Sequence, residues 1–569
     1  MACLPGYFAV RPGLFINRNN HHQLLEIMQN HLKPLRVIIS LFFLIVASLI
    51  FIDFREVFSE SFLSGFLSLQ FGPSVMRFIH IAAITMFGFI FILIITALFG
   101  RVYCSTICPL GIFQDVVSWI SKKIRKRMRP YRYDKPKNIL RYSLLALTVI
   151  FLLFGSVLLL NLLDPYSNFG RFATYFGRPV AAWINNALAG TLSSMGIYTL
   201  YRVSIPPIQW QVMVFPAMIL ALVVWLSYKY GRLYCNTVCP VGTLLGFLSK
   251  YSIFRIAIEN SGCTNCARCE RICKSSCIDF KTNEIDFSRC VGCMNCLNIC
   301  PESAIKYYFR GRPVPVAVSE VQTANETREP DNSKRSFFIV MAASFLGLNK
   351  MVSAAETQIR TNRRSRNRKS NGVEMSRPTT IPENRQYPVS PPGSVSIEKF
   401  NKACTACGVC VTKCPGNVLQ PSFLEYGLAG FMQPRMDYLS GFCNFDCTTC
   451  GEVCPTGAIQ PLTIEKKHVA QIGVAIFIME NCVVFVDHTD CGACSEHCPT
   501  KAVDMVPFTG GLTIPEVTEN ICIGCGACEY ACPTEPYKAI YVEGNPRHEL
   551  ADKPEHEALD QPDMEEFPF

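Results

Sequence analysis

Cys263-Thr-Asn-Cys266-Ala-Arg-Cys269-Glu-Arg-Ile-Cys273 and Cys290-Val-Gly-Cys293-Met-Asn-Cys296-Leu-Asn-Ile-Cys300-Pro301 decide how the chain is read. Each run has the form C-x2-C-x2-C-x3-C. Three thiols this close hold three irons of one cubane, and the fourth reaches across to a neighbouring group, so the tandem run suits paired [4Fe–4S] clusters. Soft thiolates also suit zinc, but zinc sites close with two C-x2-C pairs or with a pair and two His. One departure stands out: Cys273 is followed by Lys274 instead of Pro, and Cys277 lies four residues on. The spacing favours Cys273 as the ligand, with Cys277 as the alternative.

Four more runs lie beyond residue 400. Cys404, Cys407, Cys410 and Cys414 repeat the spacing, as do Cys522, Cys525, Cys528 and Cys532. Cys443, Cys447, Cys450 and Cys454 form a one-residue variant. Cys491, Cys494 and Cys498 lack a first partner; Cys482, nine residues before Cys491, is preferred for it over His488. Sixteen thiols then serve four clusters and eight serve two, so six [4Fe–4S] clusters use twenty-four of the 30 Cys. Six cubanes imply an electron wire. The chain has no G-x-G-x-x-G, Walker A, C-x-x-C-H or metal-hydrolase motif, so substrate reduction is expected on a partner protein.

Around these runs the composition is that of a membrane protein. Of 569 residues, 50% are hydrophobic and 17% charged, against roughly 25% charged in an average soluble domain. Apolar stretches at 37–54, 78–99, 139–163 and 212–228 each approach the ~20 residues of a membrane-crossing helix. The loop 101–141 holds eleven Lys and Arg against two acids, including Lys122, Lys123, Arg125, Lys126, Arg127 and Arg129. The loops 55–77 and 164–210 are poor in net positive charge. By the positive-inside rule the N-terminus and the 101–141 loop are cytoplasmic, and the other two loops are outside. The net charge of +10 therefore reads as a topology signal, and no nucleic-acid partner is expected.

A repeat spans the cytoplasmic ends. Gly100-Arg-Val-Tyr-Cys104-Ser-Thr-Ile-Cys108-Pro-Leu-Gly111 matches Gly231-Arg-Leu-Tyr-Cys235-Asn-Thr-Val-Cys239-Pro-Val-Gly242. A role for Cys104, Cys108, Cys235 and Cys239 is expected; metal binding, disulfide exchange and packing remain open as its chemistry. If electrons come from a quinol, some group must take its protons. His80, Asp53 and Asp164 stand at the outer ends of the apolar stretches, with Arg171 following. Ionisable groups at membrane depth are often functional, although the same residues also anchor helix ends.

The first ~310 residues resemble the polytopic quinol-dehydrogenase subunit of periplasmic nitrate reductase systems (NapH type), through Cys104/Cys108, Cys235/Cys239 and Cys263–Cys300. Residues 395–545 resemble its four-cluster ferredoxin partner (NapG/MauM type), through the Cys482…Cys491 spacing and Cys491-Gly-Ala-Cys494-Ser-Glu-His-Cys498-Pro. The resemblance implies an α-helical membrane domain of four spans with two α+β bacterial-ferredoxin-like modules, fused in one chain. It also implies that the outer and the inner runs exchange last ligands: Cys532 with Cys404/Cys407/Cys410, Cys414 with Cys522/Cys525/Cys528, Cys498 with Cys443/Cys447/Cys450, and Cys454 with Cys482/Cys491/Cys494.

The expected division is a membrane domain at 1–255, a cytoplasmic two-cluster ferredoxin at 256–310, a linker at 311–395, a four-cluster ferredoxin at 396–545 and an acidic tail at 546–569. Within the linker, Ser333-Lys-Arg-Ser-Phe-Phe-Ile339, an apolar run and Val352-Ser-Ala-Ala355 have the order of a twin-arginine-like export signal. Retained, it is a fifth span and places the second ferredoxin in the periplasm. The thirteen-residue apolar core and the basic patch Arg360–Lys369 favour an interfacial segment instead. Export is preferred. The expected function is quinol oxidation at a bacterial inner membrane, with lipid, the quinone pool and a redox partner protein as partners and a periplasmic reductase as acceptor. The rival is a redox assembly factor for a metalloenzyme. A redox sensor is a third class, with no output domain visible.

Overall fold

The computed structural model describes residues 18–53, 58–81, 87–124, 131–203, 210–309 and 378–553. The export-signal-like segment 333–355, the basic residues 125–129 and 360–369, and the tail from 554 onward lie outside the described residues.

Among the described residues two helices are long and apolar enough to cross a membrane, His31–Ile52 and Trp210–Tyr230. Leu41, Phe42, Ile45 and Leu49 on the first and Val214, Met218, Leu222 and Trp225 on the second are exposed. These positions recur at three- and four-residue steps, so each helix presents an uncovered apolar stripe, which a soluble core helix would bury. Of the other two apolar stretches, one is broken and one is described only in part, since residues 82–86 lie outside the described residues. The stretch 139–163 divides into Asn138–Leu153 and Leu158–Leu163. Gly155, at φ +75°, adopts the left-handed conformation that commonly ends a helix. Hydropathy conceals such a break, because a single small residue barely lowers the average. The stretch 78–99 falls on Phe71–Ile81 and Phe87–Phe99.

The chain forms two compact units. The first combines 1–47, 90–145 and 222–317. In it both copies of the repeat fold alike. A short helix, Tyr103–Thr106 or Leu233–Thr237, carries the first Cys. The second Cys directly precedes a longer helix, Pro109–Ile124 or Pro240–Ser249. Proline at the first helical position lacks only an amide that would have no partner there, so each Cys-Pro marks a helix start. The first ferredoxin closes on an antiparallel pair, Phe254–Ile258 with Ile305–Phe309, in register from Phe254↔Phe309 to Ile258↔Ile305. Ile256, Ile258, Ile278, Leu297 and Ile305 are buried among its cysteines.

The second unit combines 48–89, 146–221 and 318–569. Its helices include Glu60–Ser68, Phe71–Ile81, Leu158–Leu163 and Pro165–Phe172; a π-helical turn Ala173–Gly177 then leads into Arg178–Ser194. Asp164 starts Pro165–Phe172 as its cap, accepting the Ser167 amide at 2.8 Å. The second ferredoxin is built on three antiparallel pairs: Leu419–Pro421 with Pro434–Met436, Ala470–Phe477 with Ile540–Leu550, and Val503–Pro507 with Thr513–Val517. The packed module extends beyond 396–545. The Thr379 hydroxyl donates to the Tyr537 carbonyl at 2.9 Å, Glu383 accepts the Lys538 amide at 2.9 Å, and Ser396 bridges to Arg547. Composition gave 378–395 to the linker because that stretch is rich in Pro and polar residues, which here serve as an ordered strap.

Candidate functional site

In the first unit the two copies of the repeat are tied to each other by their arginines. Arg101 donates to the Cys235 carbonyl at 3.1 Å, and Arg232 donates to the Cys104 carbonyl at 2.6 Å. Gly111 and Gly242 make room for this exchange. A Cβ on Gly111 would stand 2.4 Å from the Cys104 carbonyl oxygen, and one on Gly242 would stand 2.2 Å from that of Cys235. The repeated Gly, Arg, Cys and Gly are therefore one reciprocal device. Asp115 lies between Arg36, Arg232 at 2.8 Å and Lys274 at 3.3 Å. Burial opposes its ionisation, but Arg232, Lys274 and Arg36 outweigh burial and hold the carboxyl well below the usual range.

The first ferredoxin is seated on the same device. The Arg232 amide donates to the Lys274 carbonyl at 2.9 Å, Asn236 donates to the Ser275 carbonyl at 3.3 Å, and Arg101 donates to the Ser288 carbonyl at 3.1 Å. The departure from Cys-Pro after Cys273 thus has a local cause: the loop 274–276 is the docking edge. Cys273, Cys277, Cys290, Cys293 and Cys296 line one cavity. Cys273 and Cys277 approach to 3.5 Å between sulfurs, so the structure brings both alternatives to the same place.

In the second unit the cysteines group by neighbouring runs. Cys414 lines a cavity with Cys443, Cys447 and Cys450. Cys532 lines another with Cys482, Cys491 and Cys494. Cys454 lies within electrostatic reach of Cys404, Cys407 and Cys410, and Cys498 within reach of Cys522, Cys525 and Cys528. This overturns the exchange that the resemblance implied: the first run pairs with the second, and the third with the fourth. Spacing alone is silent on the partner, because the fourth Cys of every run points away from its own group. The two pairs meet where the Cys443 amide donates to the Cys525 carbonyl at 3.0 Å. Cys482 reaches its cavity and His488 is not among the lining residues.

These cavities fit iron–sulfur clusters by donor chemistry: four sulfurs each, closed by apolar side chains such as Leu419 and Met436, or Val483 and Ile540. Burial pushes the Cys407, Cys494 and Cys525 thiols up to about 12. Such thiols stay protonated unless a metal displaces the proton.

The outer residues separate into distinct settings. Asp53 is held by Lys413 at 2.8 Å, both side chains being buried. His80 Nε2 lies 3.2 Å from the Lys402 carbonyl. Asp164 is buried against Gly72, where an added Cβ would stand 2.2 Å from its Oδ1. Its Oδ2 takes the Ser167 amide and hydroxyl, while Oδ1 has no partner among the described residues. Arg171 donates to the Ala406 carbonyl at 3.2 Å and to both oxygens of Asn161. Gly170 packs on the Cys407 carbonyl. The helix that begins at Asp164 is thus in direct contact with the loop 404–410. The Tyr166 hydroxyl and both amide atoms of Gln70 are likewise buried and unpartnered among the described residues. Sequence reading named neither Tyr166, Gln70 nor Asp115. Asp164-Pro165, a cap followed by proline, was the one signal for a helix starting there.

Similarity to known proteins follows these sites. A family model described as a 4Fe-4S binding domain matches residues 81–127 and 212–259, one copy of the repeat in each. A second 4Fe-4S binding domain matches 283–306, and a 4Fe-4S dicluster domain matches 489–535. These stretches of the chain are therefore similar to 4Fe-4S binding domains. The chain is similar to ferredoxin-type protein NapH of Haemophilus influenzae, 24% identical over 193 residues, covering 34% of this chain and 54% of the relative. It is similar also to ferredoxin-type protein NapG of Escherichia coli, 34% identical over 99 residues, 17% of this chain and 41% of the relative. Methylamine utilization ferredoxin-type protein MauM of Methylobacillus flagellatus is 32% identical over 146 residues, 24% of this chain and 59% of the relative. One chain carries likenesses to the NapH and the NapG/MauM kinds, a fusion of the two, and it spans about half the length of the curated relatives it matches. No solved structure matches.

Proposed function

We propose that the chain is a membrane-bound electron-transfer protein that oxidises quinol beside Asp164 and delivers electrons through the second ferredoxin to a periplasmic reductase. The four apolar stretches cross the membrane, the first ferredoxin is cytoplasmic, and the second is outside. The observation that carries this reading is the contact between the Asp164–Arg171 helix and the loop 404–410. It joins a sulfur-ligand loop to a buried carboxylate whose Oδ1 is unpartnered among the described residues. The segments 55–77 and 164–210, which positive-inside bias puts outside, belong to the same unit as the second ferredoxin.

Bound in the six cysteine sites, the clusters supply one-electron redox centres. The residues do the rest. Asp164 Oδ1, which has no hydrogen-bond partner among the described residues, accepts the quinol hydroxyl, and burial pushes its carboxyl up, so that it can hold the proton it takes. Each quinol gives up two electrons, one at a time to the clusters, and two protons, the first to Asp164 and the second to the water outside. Arg171 fixes the loop 404–410 through the Ala406 carbonyl. Asp53 holds Lys413 and with it the residue next to Cys414, which gives it a positioning part.

Anaerobic mixing of the purified, cluster-loaded protein with menaquinol or ubiquinol should bleach its visible cluster absorbance. A protein that dithionite bleaches and no quinol does would overturn the reading. A redox assembly factor is the second reading, favoured by the buried Cys104, Cys108, Cys235 and Cys239, which quinol oxidation outside does not use. For that reading, the C104A/C108A variant should leave a preassembled reductase fully active in cells.

A further inference from the structure

Quinol oxidation and the six cysteine sites leave the four buried thiols of the repeat unexplained. Cys104 and Cys108 come from one copy of the repeat, Cys235 and Cys239 from the other. The reciprocal Arg101 and Arg232 hydrogen bonds draw the two copies onto each other. Arg101 Nη2 bridges them directly, 3.9 Å from the Cys104 sulfur and 3.1 Å from the Cys235 carbonyl.

Every sulfur of the four faces a donor. Gln114, from the helix that follows Cys108, places its Nε2 3.4 Å from the Cys235 sulfur. The Gly242 amide donates to the Cys239 sulfur at 3.3 Å, and the Gly111 amide serves Cys108 in the same way. Donors aimed at sulfur stabilise it as an anion and recur around iron–sulfur ligands.

The charge around the group points the same way. Arg101 and Arg232 are fully buried. Among the described residues, Arg101 donates to neutral acceptors besides the Cys104 sulfur: Asn236 Oδ1 and the carbonyls of Ser288 and Cys235. Asp115 is one carboxylate shared by Arg36, Arg232 and Lys274. Four cations and one carboxylate leave three positive charges. Arg101 and Lys274 also face Cys290 and Cys293 of the first ferredoxin, so a cluster there offsets part of the excess. A cubane ligated by the four thiolates of the repeat would offset more.

A mononuclear metal fits less well. Among the described residues no three His, Cys, Asp or Glu groups stand close enough to share one ion. The same holds at the cavities lined by Cys414, Cys443, Cys447 and Cys450 and by Cys482, Cys491, Cys494 and Cys532, which fit clusters by donor chemistry. Each match to the 4Fe-4S binding family model over the repeat contains two of these cysteines, half of a cubane's ligand set.

We propose that Cys104, Cys108, Cys235 and Cys239 together ligate one further [4Fe–4S] cluster, with each copy of the repeat supplying half of the site. Binding releases the four thiol protons, and the cluster lies beside the first ferredoxin, where Gly292 packs on Val102.

The test is metal and sulfide analysis with Mössbauer spectroscopy on the full chain, purified anaerobically in detergent. The C104A/C235A variant should lose about four iron atoms per chain and the matching sulfide, with the remaining [4Fe–4S] signal intact. Unchanged iron would overturn the proposal, as would copper or zinc lost in its place. A second measurement needs no variant. Wild-type protein denatured without reductant and alkylated should show all four cysteines labelled, and labelled in the native state only after iron is chelated. Recovery of Cys104–Cys108 or Cys235–Cys239 as a disulfide would equally overturn it. The readout is separate from quinol oxidation, which can fail while the iron loss is observed.

Discussion

The seat of the first ferredoxin and the seat of the second are made from opposite chemistry. In the first unit the seat is charged and every guanidinium is anchored: Arg101 and Arg141 converge on Ser288, and Arg36, Arg232 and Lys274 on Asp115, although one nitrogen each of Arg36, Arg101, Arg141 and Arg232 has no partner among the described residues. In the second unit the seat holds polar atoms with nothing to bind: Asp164 Oδ1, the Tyr166 hydroxyl and the amide of Gln70, among the described residues. Multiply anchored side chains fix geometry. An unsaturated buried seat is costly to keep and is retained where a reactant completes it. The difference teaches that two seats need not look alike, even when both bring a ferredoxin to a helix end: one is held by anchored charge, the other keeps uncharged groups such as Gln70 and the Tyr166 hydroxyl without any partner among the described residues.

Breaking the second unit's ligand pattern has the largest expected effect. If neighbouring runs exchange last ligands, C454A removes about four iron atoms and the same Mössbauer component as C404A/C407A. Matching C491A instead would restore the crosswise exchange. Breaking the first unit's seat comes next. D115A leaves three cations around a lost carboxylate, and removing one partner of a buried ion pair costs about 3–5 kcal/mol; the thermal midpoint of the first ferredoxin should fall while that of the second holds. K413A, in the second unit, strands Asp53 in the same way, but a single pair is lost and the fall should be smaller. The smallest effect is a pH dependence. Burial pushes His548 down to about 4, where its ring meets the Ser390 hydroxyl at 2.8 Å. The folded state thus prefers neutral imidazole, and the unfolded state binds more protons between about 4 and 6.5. Stability of the second ferredoxin should fall as pH drops through that window, and H548Q should flatten the slope in a denaturant titration.

The two units were also unequally legible in the sequence. Thiol spacing announces each cluster site, because the three-plus-one geometry is local. The partner of each last Cys is not local, and the structure replaced the crosswise exchange with a neighbouring one. The repeat was visible as a repeat, but the reason for its Gly and Arg was not: Gly111 and Gly242 are required by a contact between copies 131 residues apart in the chain. Hydropathy found all four apolar stretches yet missed the turn at Gly155. Tyr166 and Gln70 escaped because an unpaired buried hydroxyl or amide leaves no mark in composition.

The account turns on Asp164. Single-turnover reduction of the cluster-loaded protein by quinol, with D164N and D53N prepared alongside, tests it most directly. If Asp164 takes the proton, D164N retains its iron and slows reduction by about 100-fold, the scale of a lost general base, while D53N stays much closer to wild type. A D164N protein with full iron that quinol reduces as fast as wild type would contradict the account.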